Sequence, residues 1–222
     1  YRMYGKHIYP SFIVPNTTIG ITEIDAVRAS NDYRETGGMN PHIRTLIAYN
    51  TESKITKTVR SNGVLIAQVT PRGGMISGQS SLMYLDGNNW EDAQLKADDG
   101  IHLNWPNSYY KTGWWAQQGE TKQNKEYQNK INELEELFSH ASSYANSSNI
   151  MDLKMESMKG IFDGSKNLYI HANIASDMRD AISFSEKYKV RKIVIVGGED
   201  ALAISDILVS KNIPVILNRV HR

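Results

Sequence analysis

The C-terminal quarter of the chain constrains the fold most, because it repeats one unit made of a short apolar strand and an amphipathic helix. The run Ile-Val-Ile-Val at 193–196 has no polar alternation, which is typical of a strand buried on both faces. Strands are predicted at 167–173, 192–196 and 213–217, and helices between them at 176–188 and 199–210. Strands joined by such helices run parallel, because each crossover returns the chain to the same edge. The sequence therefore predicts an α/β fold with a parallel sheet.

Ligands of parallel α/β folds bind at the carboxyl ends of the strands. The polar and glycine residues that end the three predicted strands are therefore the first candidates for a functional site. They are His171, Asn173, Gly197, Gly198, Glu199, Asn218 and His221.

Composition limits the classes of partner. The 222 residues carry 25 basic and 24 acidic side chains, and a net charge of +1 gives no reason to expect nucleic acid or an anionic membrane. Cysteine is absent, which excludes disulfides and thiolate zinc sites. We expect a small-molecule ligand, and the composition leaves a homo-oligomer open. The length suits one domain over 1–222, and a start at Tyr1 indicates a piece of a longer protein.

The first two thirds of the chain are less regular. Further strands are predicted at 12–14, 64–69 and 81–85, and helices at 43–49, 53–61, 120–146 and 151–162, with Asn62-Gly63 as a C-cap. The segment 88–119 holds all four tryptophans and is expected to be an irregular insertion, either a loop held by aromatic anchors or a substrate lid. Asp98, Asp99 and His102 lie in it. Such residues can supply metal ligands or an acid and a base, but no spacing rule supports that role here, so we expect them to be solvated.

Four stretches carry a resemblance to a known family. They are Gly5–Val14, Asn62–Thr70, Ile170-His-Ala-Asn173 and Ile193–Ala201. Together they resemble the amidohydrolase superfamily, in its imidazolonepropionase-like branch. The resemblance implies a (β/α)₈ TIM-type barrel, present as an incomplete fragment of about strands 1 to 7. It also implies a metal-dependent hydrolase acting on non-peptide C–N bonds of small or cyclic amides. Bacterial relatives are often exported, so we expect an exported or periplasmic location over a cytoplasmic one.

The sequence departs from the family pattern at the metal ligands. Asn16 and Thr18 stand where the family has its His-x-His pair, and the strand-six histidine position falls near Val196. His171 matches the strand-five histidine. The resemblance implies one divalent metal, zinc, whereas the lost ligands favour none, and the sequence leaves both open. A catalytically degenerate, metal-free barrel that binds a small ligand is therefore the alternative function, and a flavodoxin-like binding domain is a third.

His171 is the candidate catalytic residue, either as a metal ligand if a metal binds or as a general base toward water. A hydrogen-bonded structural histidine is the alternative. Arg72 follows the second strand and is placed to meet a carboxylate. Gly197 and Gly198 form either an anion-binding helix start or only a tight turn. The candidate substrate-binding residues are Asn16, Thr18, Arg72, Asn173, Gly197, Gly198, Glu199 and His221.

The resemblance also leads to an architectural expectation. The strands at 12–14, 64–69, 168–171, 192–196 and 214–217 should be parallel neighbours around one barrel.

Overall fold

The computed structural model of this chain describes residues 3–114, 117–146 and 150–218, apart from the side chain of Gln118. The strands are β1 (Phe12–Thr17), β2 (Val64–Val69), β3 (Ile76–Tyr84), β4 (Gln94–Asn104), β5 (Tyr109–Trp114), β6 (Gln117–Gln123), β7 (Asn167–Ala172), β8 (Ile193–Gly197) and β9 (Val215–Leu217). The helices are α1 (Lys54–Ser61), α2 (Tyr127–Ala145), α3 (Leu153–Asp163), α4 (Ala175–Lys187) and α5 (Ser205–Ser210). Seven strands form one sheet in the order β1-β2-β3-β4-β7-β8-β9, and β5 pairs with β6. The predicted α/β class is confirmed.

The chain divides into two compact units. Unit 1 comprises the residues up to Tyr33 with Arg44–Pro71 and Ser80–Asp98, and unit 2 comprises Arg34–Ile43, Arg72–Gln79 and the chain from Asp99 onward. Two compact units can belong to one domain, so the prediction of a single domain over 1–222 stays a prediction.

Unit 1 contains the parallel pair β1 and β2, with α1 between them in the chain, and the second half of β3, which pairs antiparallel with β2. Helix α1 begins where the Ser53 hydroxyl accepts a hydrogen bond from the N–H of Ile55, which satisfies one free donor of the first turn. It ends at Asn62, and Gly63 follows with φ of +90°, so the predicted C-cap is confirmed. The buried core residues are Ile21, Leu46, Tyr49, Ala67, Val69, Met83, Leu85 and Ala93.

Unit 2 contains β4 from Asp99 onward together with β7, β8 and β9, and each neighbouring pair is parallel. The predicted parallel order of the last three strands is therefore confirmed. Helices cover one face of these strands, where the apolar residues of the strands pack against Phe138, Phe184 and other helix residues. The strand residues on that face are Ile101, Leu103, Leu168, Ile170 and Ile195.

The opposite face of the same strands forms a smaller buried cluster of Tyr169, Val194 and Val196, with Ile216 packed against it. Side chains alternate between faces along a strand, so Val194 and Val196 lie opposite Ile195. Strand β8 is thus buried on both faces, as its unbroken apolar run predicts.

The expectation that 88–119 is irregular is wrong. The segment contains all of β4 and β5 and the beginning of β6. The strand pattern was concealed because the first half of β4 is charged and exposed, while its second half is buried. Trp105 packs edge-on against Phe184 at 5.4 Å between ring centroids, whereas Trp114 is exposed and Trp115 lies outside the described residues.

Three helix predictions also need correction. The predicted helix at 43–49 is a 3₁₀ turn over Leu46–Ala48. The long helix begins at Tyr127, because the residues before Asn124 pair with β5 as part of β6. The predicted helix at 199–210 is a 3₁₀ turn over Ala201–Ile204 followed by the six residues of α5.

The predicted ring of five parallel neighbours is wrong in one respect. Strands β3 and β4 stand between β2 and β7 in the sheet, and β3 is antiparallel to β2. Within the ranges described above, none of the helices is both long and apolar enough to span a bilayer.

The close approach of β4 and β7 depends on Gly100. A Cβ at this position would lie 2.5 Å from the backbone oxygen of Asn167 and 2.5 Å from the Tyr169 ring. We expect Gly100→Ala to lower the free energy of unfolding by about 1–3 kcal/mol, the usual cost of overpacking, because backbone must move. Urea denaturation measures this change.

Gly38→Ala is the matched control, because a Cβ there meets nothing within 4 Å and its φ lies outside the left-handed region. We expect it to change stability by less than about 0.5 kcal/mol, as surface substitutions usually do. Equal effects of the two substitutions would contradict the steric role of Gly100.

Candidate functional site

Three aromatic side chains meet on the face of unit 2 that helices do not cover. His102 of β4 is opposite Tyr169 of β7 in the parallel register, and His171 follows Tyr169 on the same face two residues later. The His102 and Tyr169 rings stack with centroids 4.6 Å apart and planes 7° apart. The register therefore places both histidines together near the carboxyl ends of two neighbouring strands.

The two histidines are joined by a hydrogen bond. His102 Nδ1 lies 2.9 Å from His171 Nε2. His102 is 0% exposed, and its Nε2 has no hydrogen-bond partner among the residues that the structure describes. His171 is half-buried, so it is the member of the pair nearer to solvent.

Tyr169 is itself anchored by a buried carboxylate. Its hydroxyl donates to Asp99 Oδ2, and the Asn167 side-chain amide donates to the same hydroxyl at 3.2 Å. Asp99 is 4% exposed. These bonds fix the Tyr169 ring and, through the stack, the plane of His102.

Arg72 lies in a tight loop before β3. Asn104, at the end of β4, holds this loop by donating its side-chain amide to the Gly74 carbonyl at 2.8 Å and to Ser77 Oγ at 2.9 Å. The Asn104 backbone is bonded to the same loop, since its N–H donates to Met75 O at 2.8 Å. The loop thereby brings the Arg72 charge close enough to act on both histidines.

The electrostatics of this cluster keep both imidazoles neutral at pH 7. Burial, followed by the Arg72 charge, lowers the pKa of His171 from its usual 6.5 to about 4. Burial, with the charges of His171 and Arg72, lowers the pKa of His102 well below its usual range. Burial also lowers the pKa of Arg72, which stays a cation because arginine starts so high.

The predicted anion site at the end of β8 is not supported by its backbone groups. The Gly198 N–H donates to Ala172 O and the Asp200 N–H donates to Asn173 O, each at 2.9 Å. Gly197, with φ of +104°, lies directly against the Asn173 side chain, because a Cβ there would be 2.3 Å from Asn173 Oδ1. These bonds favour the tight turn, and the predicted substrate-binding role of Gly197 and Gly198 stays a prediction. Glu199 beside it is exposed.

The remaining candidates are not among the described residues of this cluster. Asn16 and Thr18 belong to unit 1, where the Asn16 N–H donates to Gln68 Oε1 at 3.1 Å. Their predicted place beside His171 stays a prediction. His221 lies outside the described residues.

Sequence reasoning missed His102, Asp99 and Tyr169. His102 and Asp99 were expected to be solvated, and both are buried. The available signal was the alternation of Ile101-His-Leu-Asn104, which repeats with period two like Tyr169-Ile-His171. Asp98, expected to be solvated too, forms a two-pronged ion pair with Arg44 in unit 1, with both contacts at 2.9 Å.

The donor atoms near His171 do not fit a zinc site. Two imidazole nitrogens on a tetrahedral zinc would be about 3.3 Å apart with both lone pairs aimed at the metal. Here the two nitrogens point at each other across a 2.9 Å hydrogen bond. In the described parts of the chain, no three His, Cys, Asp or Glu side chains are grouped as metal ligands.

The chain has the same fold as a solved structure. That structure is an amidohydrolase from Thermotoga maritima, with a TM-score of 0.79 and 20% sequence identity over 96% of this chain. The chain spans 57% of the length of that structure. At this identity the likeness shows the fold alone. No protein-family model matches the sequence, and no curated protein matches it.

The lowered histidine pKa values predict how stability depends on pH. The folded state binds fewer protons than the unfolded state between pH 6.5 and about 4, so stability is complete above pH 6.5 and falls as the pH falls toward 4. Each buried histidine contributes a slope of up to about 1.4 kcal/mol per pH unit in that window. Urea midpoints at pH 7.5, 6.0 and 5.0 measure the slope.

His171→Asn should flatten the slope, while His140→Asn, on the exposed side of α2, should leave it unchanged. A wild-type protein equally stable at pH 7.5 and pH 5.0 would contradict the neutral state of the pair.

Proposed function

We propose that this chain belongs to an amidohydrolase-type hydrolase that cleaves a non-peptide C–N bond of a small linear or cyclic amide. The proposal rests mainly on one observation, the pairing of His171 with His102 at strand ends beside the Arg72 charge. The fold shared with an amidohydrolase supports it, and as a likeness of fold it does so only by analogy. The same likeness supports a fragment of a (β/α)₈ barrel, and the imidazolonepropionase-like branch is part of the proposal.

The proposed reaction is the hydrolysis of an amide by water. Water adds to the amide carbonyl carbon, the C–N bond breaks, and a water proton moves to the leaving nitrogen. A neutral imidazole can either accept the water proton or donate an N–H to the carbonyl oxygen. His171 is neutral and half-buried, so both roles are compatible with its state. The Arg72 cation nearby would attract a carboxylate on the substrate or product.

A second function is favoured by the same hydrogen bond. Because His171 Nε2 is already bonded to His102, the strand-five position has lost one nitrogen that a family metal site would use. The chain would then be part of a metal-free protein that binds a small polar ligand without hydrolysing it. Under either function the ligand is a small molecule, and the exported location and the oligomeric state stay predictions.

Replacement of His171 by alanine tests the hydrolase proposal. We expect His171→Ala in the full-length protein to lower turnover of the best amide in a panel of linear and five- and six-membered cyclic amides by at least about 100-fold. Release of amine or ammonia measures turnover. The free energy of unfolding should fall by about 1–3 kcal/mol, because His102 Nδ1 is left buried without a partner.

His140→Ala is the control, since His140 is exposed on α2 and should keep full turnover. Wild-type protein that binds an amide of the panel but releases no product would favour the binding function. Stoichiometric zinc that copurifies and is lost in His171→Ala would overturn the argument from the donor atoms.

A further inference from the structure

Among the described residues, His102 Nε2 has no hydrogen-bond partner. This restricts which nitrogens of the two histidines carry the protons. A neutral imidazole has one N–H and one bare nitrogen, so the 2.9 Å contact between His102 Nδ1 and His171 Nε2 has two arrangements. In the first, His102 Nδ1–H donates to His171 Nε2, and His102 Nε2 is a bare lone pair. In the second, His171 Nε2–H donates to His102, and His102 Nε2–H is a buried donor without an acceptor.

The burial of His102 favours the first arrangement. Buried N–H groups without a partner are rarer in proteins than acceptors that lack one. The Tyr169 stack holds the His102 ring in place, so the ring cannot easily turn to find another partner.

We propose that His102 is a positioning residue that holds His171 in the tautomer protonated at Nδ1. His171 Nε2 is then occupied as an acceptor, and Nδ1–H is the only His171 group left for a ligand. The Arg72 cation acts on the same ring, so the site offers an N–H donor and a positive charge. It therefore suits a ligand that presents a carbonyl or carboxylate oxygen. This inference deepens the proposed function and gives His171 the role of a neutral donor, as opposed to a base.

Nitrogen NMR of histidine-labelled full-length protein tests the tautomer directly. At pH 8 the long-range proton–nitrogen correlations of His171 should show one tautomer, protonated at Nδ1. In His102→Phe, which keeps a ring for Tyr169 but has no nitrogen, His171 should become a mixture of tautomers. His102→Asn, whose side-chain amide lies where Nδ1 does, should restore a single tautomer. His171 protonated at Nε2 in the wild type would overturn the proposal even if His102→Phe failed to fold.

A titration with small ions tests the ligand class. Acetate should shift the His171 Nδ1–H signal saturably in the wild type, whereas methylammonium at the same concentration should not. A shift with methylammonium alone, or no shift with acetate, would overturn the donor role. The outcome is separate from the hydrolase assay, because a protein without turnover can still show the predicted tautomer. Conversely, turnover with His171 protonated at Nε2 would keep the hydrolase and remove this role of His102.

Discussion

The parallel register between β4 and β7 is the constraint on which the site depends. It places His102 opposite Tyr169 and Asn104 opposite His171, so that one face receives the stacked rings and the end of β4 receives the amide that holds the Arg72 loop. The opposite face is fixed by the same alternation, and its apolar residues pack under the helices. A shift by one residue would exchange the two faces, burying the polar rings under the helices and exposing the apolar core.

Burial of two titratable rings beside a cation is costly, and the structure limits that cost by neutrality and pairing. Both histidines are neutral at pH 7, and the two rings share one hydrogen bond, in which one donates and the other accepts. Among the described residues, His102 Nε2 still has no hydrogen-bond partner. Buried polar groups usually find a partner, so such an exception in a site merits a functional explanation. Here the uncompensated nitrogen distinguishes the two proton arrangements of the pair.

The sequence predicted the fold best where apolar periodicity was strong. Strands β2, β7, β8 and β9, the helix α4 and the cap at Asn62-Gly63 all follow from local pattern. Strand β4 did not, because its charged first half and Gly100 conceal a strand whose burial depends on distant neighbours. For the same reason His171 could be singled out from its place at a strand end, but its partner could not. His102 and His171 are 69 residues apart, and only the strand register brings them together.

The complete burial of His102 has a consequence for the movement of protons. Water does not reach the ring in the closed structure, so its N–H can exchange with solvent deuterium only when the strands or the Tyr169 stack open locally. The ring proton would then exchange far more slowly than that of an exposed histidine such as His140. The exchange rate of this proton would therefore measure how often the site opens locally while the rest of unit 2 stays folded.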